Sequence, residues 1–290
     1  MSWIIPQISV GLSIASILLL VALGLAIIYG TMGVINLAHG EFVMLGAYAV
    51  WFLQSTLGLN LIACLPLVFV LVGLVGLLIE WLLIRHLYTR PLDTILATWG
   101  VGVILQQAIR LSAGAELRYV KMPDFLTSSI HIMGYEESAY RIFIFVLAVA
   151  LLIITYLLIF HTEFGLRLRA VTQNRDIASC FGINAGRIYS LTFAYGAGLA
   201  GIAGALVSPL KSVAPDMGTN YVVDAFLVVV VGGVQSLIGT IASSYLIGQA
   251  SGVLASLSND TMAKAVVFLG VVVLIRLFPQ GLFAVRIRRS

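Results

Sequence analysis

Residues 9–29 read SVGLSIASILLLVALGLAIIY, without one charged group. A run of that length matches the roughly 20 residues an α-helix needs to cross a hydrocarbon core about 30 Å thick. No Lys or Arg precedes it, as a secretory signal would have, so it reads as a retained first helix. The same texture recurs at 40–54, 61–84, 94–112, 140–160, 187–208, 222–256 and 262–278, which makes about eight hydrophobic units. Composition agrees. Of 290 residues, 61% are hydrophobic and 10% charged, and the mean hydropathy is +1.09, whereas soluble domains carry roughly a quarter charged residues. Lipid offers the backbone no hydrogen-bond partner, and unbroken apolar runs are not the alternating strands of a barrel. The expected fold is all-α: a polytopic transmembrane helical bundle forming one domain over 1–290.

The 222–256 unit is too long for one simple helix and is interrupted at Gly232-Gly233-Val234-Gln235-Ser236, which predicts two pieces and a discontinuous or re-entrant element. In the 187–208 unit Gly196, Ala200, Gly204 and Ser208 recur every four residues, beside a second row of Ala197, Gly201 and Ala205. Such rows let a neighbouring backbone approach closely, within this chain or across a dimer. The net charge of +4 resides in short loops, which excludes a nucleic-acid surface and fixes sidedness instead. Arg85 and Arg90, the group Arg167, Arg169, Arg175 and Arg187, and the tail Arg286, Arg288 and Arg289 share the cytoplasmic side. The loop 113–139 then lies outside, and parity puts the N-terminus there too. Cys64 and Cys180 form no CxxC and have no companion His spacing, so neither disulfide nor zinc is expected.

Polar residues inside such a chain carry its chemistry. Between the first two units, YGTMGVINLAHGEF at 29–42 sets Asn36, His39 and Glu41 at membrane depth, where ionisable groups are costly and mark function by default. Lining a polar pathway and bracing a broken helix remain open for these three; a metal site does not, because His39 and Glu41 lie two apart with no further ligands. Thr98, Trp99, Gln106 and Gln107 form an amide-rich wall in the 94–112 unit that suits a neutral hydrogen-bonding solute, with packing alone as the other reading of Trp99. Asp224 and Gln235 supply a candidate opposite wall, and Asp224 equally fits a helix cap.

No nucleotide-cradling G-x-x-x-x-G-K-[ST] loop, Ser-His-Asp set or HExxH occurs. Active transport would therefore draw its energy from another subunit. The segment 161–187 is the place to dock one: a polar, basic island in which EFGLRLRAVTQNRDIASCFGI forms a short helix with Gly165 before it and Gly182 after it. Arg167, Arg169, Gln173, Asn174, Arg175, Asp176 and Gly182 are its candidate coupling residues. The positive-inside rule alone accounts for the arginines, not for the length or the helical core.

Taken together, the 28–42 stretch, the island, Leu199-Ala200-Gly201 to Gly204-Ala205-Leu206 and Gly232-Gly233 to Gly239 resemble permease subunits of the branched-chain amino acid and urea class of ATP-binding-cassette importers, of the type II importer architecture. Within that class ILATWGV at 95–101, followed by Leu105-Gln106-Gln107 and Arg110, is most similar to the urea branch. The stretch 117–122, LRYVKM, departs from the Asn-containing sequence expected there. The resemblance implies a bacterial inner-membrane complex of this chain, a second homologous permease, two cytoplasmic ATPases that use the ATP, and a periplasmic or extracellular solute-binding protein. It implies no cofactor on this chain. The expected cargo is urea; branched-chain or other small amino acids or amides, a passive urea channel and a membrane-embedded enzyme are the competing readings.

Overall fold

The computed structural model describes residues 4–132, 135–234 and 236–283. Among them run α1 (Ile4–Met32), α2 (His39–Leu57), α3 (Leu61–Leu82), α4 (Pro91–Ala113), α5 (Ala139–His161), α6 (Glu163–Gln173), α7 (Arg175–Cys180), α8 (Ala185–Val207), α9 (Met217–Gly232), α10 (Leu237–Leu257) and α11 (Asp260–Leu277). Among the described residues six helices are long and apolar enough to cross a membrane, those over Gln7–Met32, Leu61–His86, Pro91–Ala113, Ala139–His161, Ala185–Val207 and Leu237–Leu257. The polytopic helical bundle expected from the apolar runs is the architecture found. The 113–139 loop holds one addition: β1 (Ser129–Ile132) and β2 (Tyr135–Ser138) pair antiparallel, with Ser129 opposite Ser138.

Local chemistry sets the breaks. Gly33 adopts φ 66°, in the left-handed region, and donates its N–H to Tyr29 O at 2.9 Å, which closes α1. The 222–256 unit divides as its glycines predict: α9 ends at Gly232, Gly233 takes φ 93°, and Ser236 Oγ caps α10 by accepting the Gly239 N–H. Gln235 lies outside the described residues.

α8 is the interior axle. Most of its length is buried within this chain, so its small-residue rows serve intrachain packing. A Cβ on Gly196 would stand 2.7 Å from Gly24 O on α1; on Gly201 it would meet Val72 Cβ of α3 at 2.8 Å; on Gly204 it would land on the Val43 carbonyl of α2. Gly40 against Gly218 joins α2 to α9 in the same way, and Gly248 against Ala15 joins α10 to α1.

The two ends of the bundle differ. At one, the loop after α3 packs on the island and the start of α8: the Arg175 guanidinium lies over the Tyr88 ring, and Tyr88 meets Tyr189 edge-on at 5.1 Å. The basic groups Arg85, Arg90, Arg167, Arg169, Arg175 and Arg187 therefore share one end, as the sidedness argument requires. The chain's last described turn reaches the same end, where Leu282 N–H donates to Val231 O; Arg286, Arg288 and Arg289 lie outside the described residues. At the other end Arg118 exchanges backbone hydrogen bonds with Val213, and the Tyr140 hydroxyl donates to Leu206 O.

Candidate functional site

The polar stretch between α1 and α2 folds inward. Asn36, His39, Glu41 and Thr98 are all buried, His39 and Thr98 at 0% exposure. Leu37 N–H donates to Thr98 Oγ1 at 3.1 Å, Ala38 N–H to Asn36 Oδ1 at 3.0 Å, and His39 Nε2 faces Val21 O at 3.0 Å. These bonds replace the helical ones lost over residues 33–38, so part of the cluster braces a broken backbone. Gln106 carries it outward. Its Nε2 donates to Glu41 Oε1 at 2.8 Å and to Thr219 Oγ1 at 3.2 Å, which ties α2, α4 and α9 at one level. Asn36 Nδ2, His39 Nδ1 and Glu41 Oε2 are buried with no hydrogen-bond partner. Orphaned polar atoms at such depth are expensive unless something else meets them.

Other candidates stand elsewhere. Trp99 is 59% exposed, and Gln107 is exposed on α4 as well; neither reaches the cluster. Asp224 is no cap: α9 starts at Met217, with Asp216 in the cap position, and Asp224 sits two turns in, its Oδ2 3.2 Å from Lys264 Nζ on α11. That pairing spans 40 residues, a separation at which no local pattern pointed to Lys264. Thr219, exposed beside Gln106, carried no signal in the sequence either.

The island differs in detail from the expected single helix. Thr162 Oγ1 accepts the Gly165 N–H, so α6 begins at Glu163 and Gly165 lies within it, where a Cβ would strike the Leu158 and Ile159 carbonyls. Asn174 is extended, at φ −157°, and its Oδ1 takes the Ile177 N–H to start α7. Asp176 sits in the first turn of α7 and Gly182, at φ 78°, closes it. Leu168, Val171 and Ala178 pack with Ala185, Ile188 and Tyr189. The outer face is apolar as well as charged: Leu166, Ile177 and Phe181 are exposed, Phe181 at 82%.

Its arginines divide by direction. Arg167 stays outward beside Glu163, 2.9 Å away. Arg169 turns back over the Phe160 ring, 5.3 Å from its centroid, and Arg175 lies over Tyr88 and Tyr189 at 5.8 and 5.7 Å. Behind Tyr88 is a group the sequence reading missed. Glu80, 0% exposed, accepts hydrogen bonds from the Tyr88 and Ser190 hydroxyls and has Arg85 at 3.7 Å. Burial, then the Glu80 carboxylate, pushes the Tyr88 phenol well above its ordinary pKa. The signal was a lone carboxylate in an apolar run with arginine five positions on. Arg175, Tyr88, Glu80 and Ser190 thus connect α7 to α3 and α8.

The family described as branched-chain amino acid transport system / permease component matches residues 7–276. The permease BraD of a high-affinity branched-chain amino acid transport system in Pseudomonas aeruginosa is 28% identical over 96% of this chain and 95% of its own. The permease LivH of Escherichia coli K12 is 28% identical over 97% and 95%, and LivM, a permease of the same named system in that strain, is 22% identical over 93% and 68%. No solved structure matches the chain.

Proposed function

Because the chain belongs to the family of branched-chain amino acid transport system permease components, and is a multi-pass membrane protein on that ground and on its six apolar helices, we propose that it is one of two permeases in an ATP-driven importer of the bacterial inner membrane. The observation that carries the coupling is the α6–α7 pair, folded across one end of the bundle with Leu166, Ile177 and Phe181 bare. Exposed apolar groups rimmed by charge mark an interaction site, and the occupant of this one is a cytoplasmic ATPase. The positive-inside rule then puts that end and the C-terminus in the cytoplasm and the 113–139 segment outside, facing a solute-binding protein. That two distinct permeases of one E. coli system both resemble this chain supports a homologous second permease beside it. ATP-driven closure of the ATPases pushes α6–α7, and Arg175 passes the push through Tyr88 and Glu80 to α3 and α8.

The cargo is urea, taken past the Asn36, His39, Glu41, Thr98 and Gln106 cluster. The part of it nearest the surface is the Gln106 amide and the Thr219 hydroxyl, and the Asp224 charge is matched by Lys264. A small neutral amide needs donors and acceptors and no countercharge. A second reading, branched-chain amino acids, is favoured by the relatives' names and by Arg110 and Asp216, oppositely charged and both within electrostatic reach of Glu41.

Uptake of labelled urea and labelled leucine into vesicles carrying the assembled complex and its binding protein, with and without internal ATP, tests both parts. ATP-dependent urea uptake is the expected result. ATP-dependent leucine uptake in its place overturns the cargo, and urea flux without ATP overturns the coupling.

A further inference from the structure

At the island end of the bundle a groove of about 320 Å³ opens between α1, α5, α6 and the break before α10. Its wall is apolar, with Ile27 from α1, Ile159 and Phe160 from α5, and Leu237 from α10. Its rim is polar, with Arg169, Thr172 and Gln173 from α6. Among the described residues no carboxylate lines it, and Arg169 takes part in none of the ion pairs. The nearby α6 carboxylate, Glu163, already faces Arg167. Ser236 Oγ accepts the Gly239 N–H, so the start of α10 is capped and attraction for an anion rests on the Arg169 guanidinium with the Gln173 amide beside it. On α5, which supplies one side of the groove, Ile153, Ile154, Leu157 and Phe160 are exposed.

We propose that this groove holds one anionic glycerophospholipid, its phosphate on Arg169 and Gln173 and one acyl chain against Ile27, Ile159, Phe160 and Leu237. A guanidinium with no carboxylate partner among the described residues, at the end of an apolar trough, is complementary to an amphiphile with a negative head, and basic pockets between membrane helices at the cytoplasmic face take such heads. A free phosphate would leave the trough wet; a lipid with a neutral headgroup would leave the guanidinium without a counterion. The lipid adds to the contacts that α6 makes with α1, α5, α7 and α8, and it joins α6 to the α9–α10 break. The site stands or falls independently of the cargo and of the ATPase.

The test uses the full-length chain purified from its own membrane in mild detergent with whatever subunits accompany it. Bound phospholipid is read by native mass spectrometry, and rebinding is then measured after delipidation with phosphatidylglycerol, phosphatidylcholine and inorganic phosphate. The expected result is retention of one anionic lipid and preference for phosphatidylglycerol. Arg169→Gln should lower retention about five-fold or more, from roughly 1 kcal/mol per basic group near an anionic lipid, while Arg169→Lys restores most of it. Leu237→Trp, which fills the trough and keeps the charge, should lower it too; Arg167→Gln, on the outward face, should not. Equal rebinding of phosphatidylcholine by the wild-type chain overturns the proposal, as does undiminished retention in a folded Arg169→Gln variant. Inorganic phosphate rebinding as tightly as the lipid, with Leu237→Trp without effect, overturns it as well, since the trough would then play no part.

Discussion

Replacing Gly196 by Ala tests the axle directly. The added methyl would stand 2.7 Å from Gly24 O and from Ile28 Cδ1, some 0.7 Å inside the 3.4 Å at which ordinary contact begins. Ile28 can turn aside; the Gly24 carbonyl belongs to a helix backbone and cannot move without moving α1. Overpacking of this kind costs about 1–3 kcal/mol, partly offset by the helix preference for Ala over Gly, about 0.5–1 kcal/mol. Gly270 on α11 has nothing within 4 Å of its would-be Cβ, so Gly270→Ala receives the preference alone and is the reference. The two variants should therefore differ by about 1–3 kcal/mol, or roughly 3–8 °C in Tm at a few degrees per kcal/mol for a chain of this size. Cys64 is fully buried and Cys180 exposed, so in a Cys180→Ser background a thiol-reactive fluorophore reports unfolding through Cys64 during a thermal ramp in detergent. A Gly196→Ala midpoint equal to or above that of Gly270→Ala would refute the close approach of α1 and α8.

Two further outcomes follow from the island end. Glu80→Ala should lower the unfolding temperature by the equivalent of about 2–4 kcal/mol, because the half-buried Tyr88 hydroxyl and the buried Ser190 hydroxyl lose their acceptor; adding Tyr88→Phe and Ser190→Ala should recover part of the loss, and strict additivity in the same thermal ramp would count against a shared network. Asn174→Ala should cost α7 about 1 kcal/mol of cap stabilisation and raise amide hydrogen exchange over 175–180 while leaving α8 protected, and unchanged exchange there would mean that Asn174 does not hold the junction.

What the sequence made legible is what depends on spacing. The rows through Gly196, Ala200 and Gly204 are a period, and the Gly232-Gly233 interruption is a run of residues that cannot carry a helix on, so both point to structure without knowing any partner. Asn36, His39 and Glu41 stood out for a similar reason, as polar groups in apolar surroundings. Their partners did not. Gln106 reaches Glu41 across 65 residues and Lys264 reaches Asp224 across 40, and such pairings are decided by how whole helices cross. Direction was the other hidden quantity. Arg169 and Arg175 have the composition of an outward basic face, yet both rest on aromatic rings of neighbouring elements, Phe160 of α5 and Tyr189 of α8, because a long guanidinium side chain on a short helix can fold back wherever a ring lies within its reach. The Asn174 junction was written in the sequence as an Asx cap before Arg175-Asp176, and the helical core on either side of it obscured the signal.

The glycine contacts around α8 carry one more implication, for how the bundle can move. Helices that interlock through large side chains are held in register like gear teeth, and sliding one past another means lifting each tooth from its slot. Where α8 touches α1 at Gly24 and Gly196, and α2 at Gly46 and Gly201, backbone lies against backbone and there is no tooth to lift. These seams act as plain bearings: they hold the shafts close together and resist separation, while rotation and small axial slip meet little friction. In a transport cycle built on this chain α1 and α2 would turn against α8 along these seams, and a single added methyl at one of them would jam the movement.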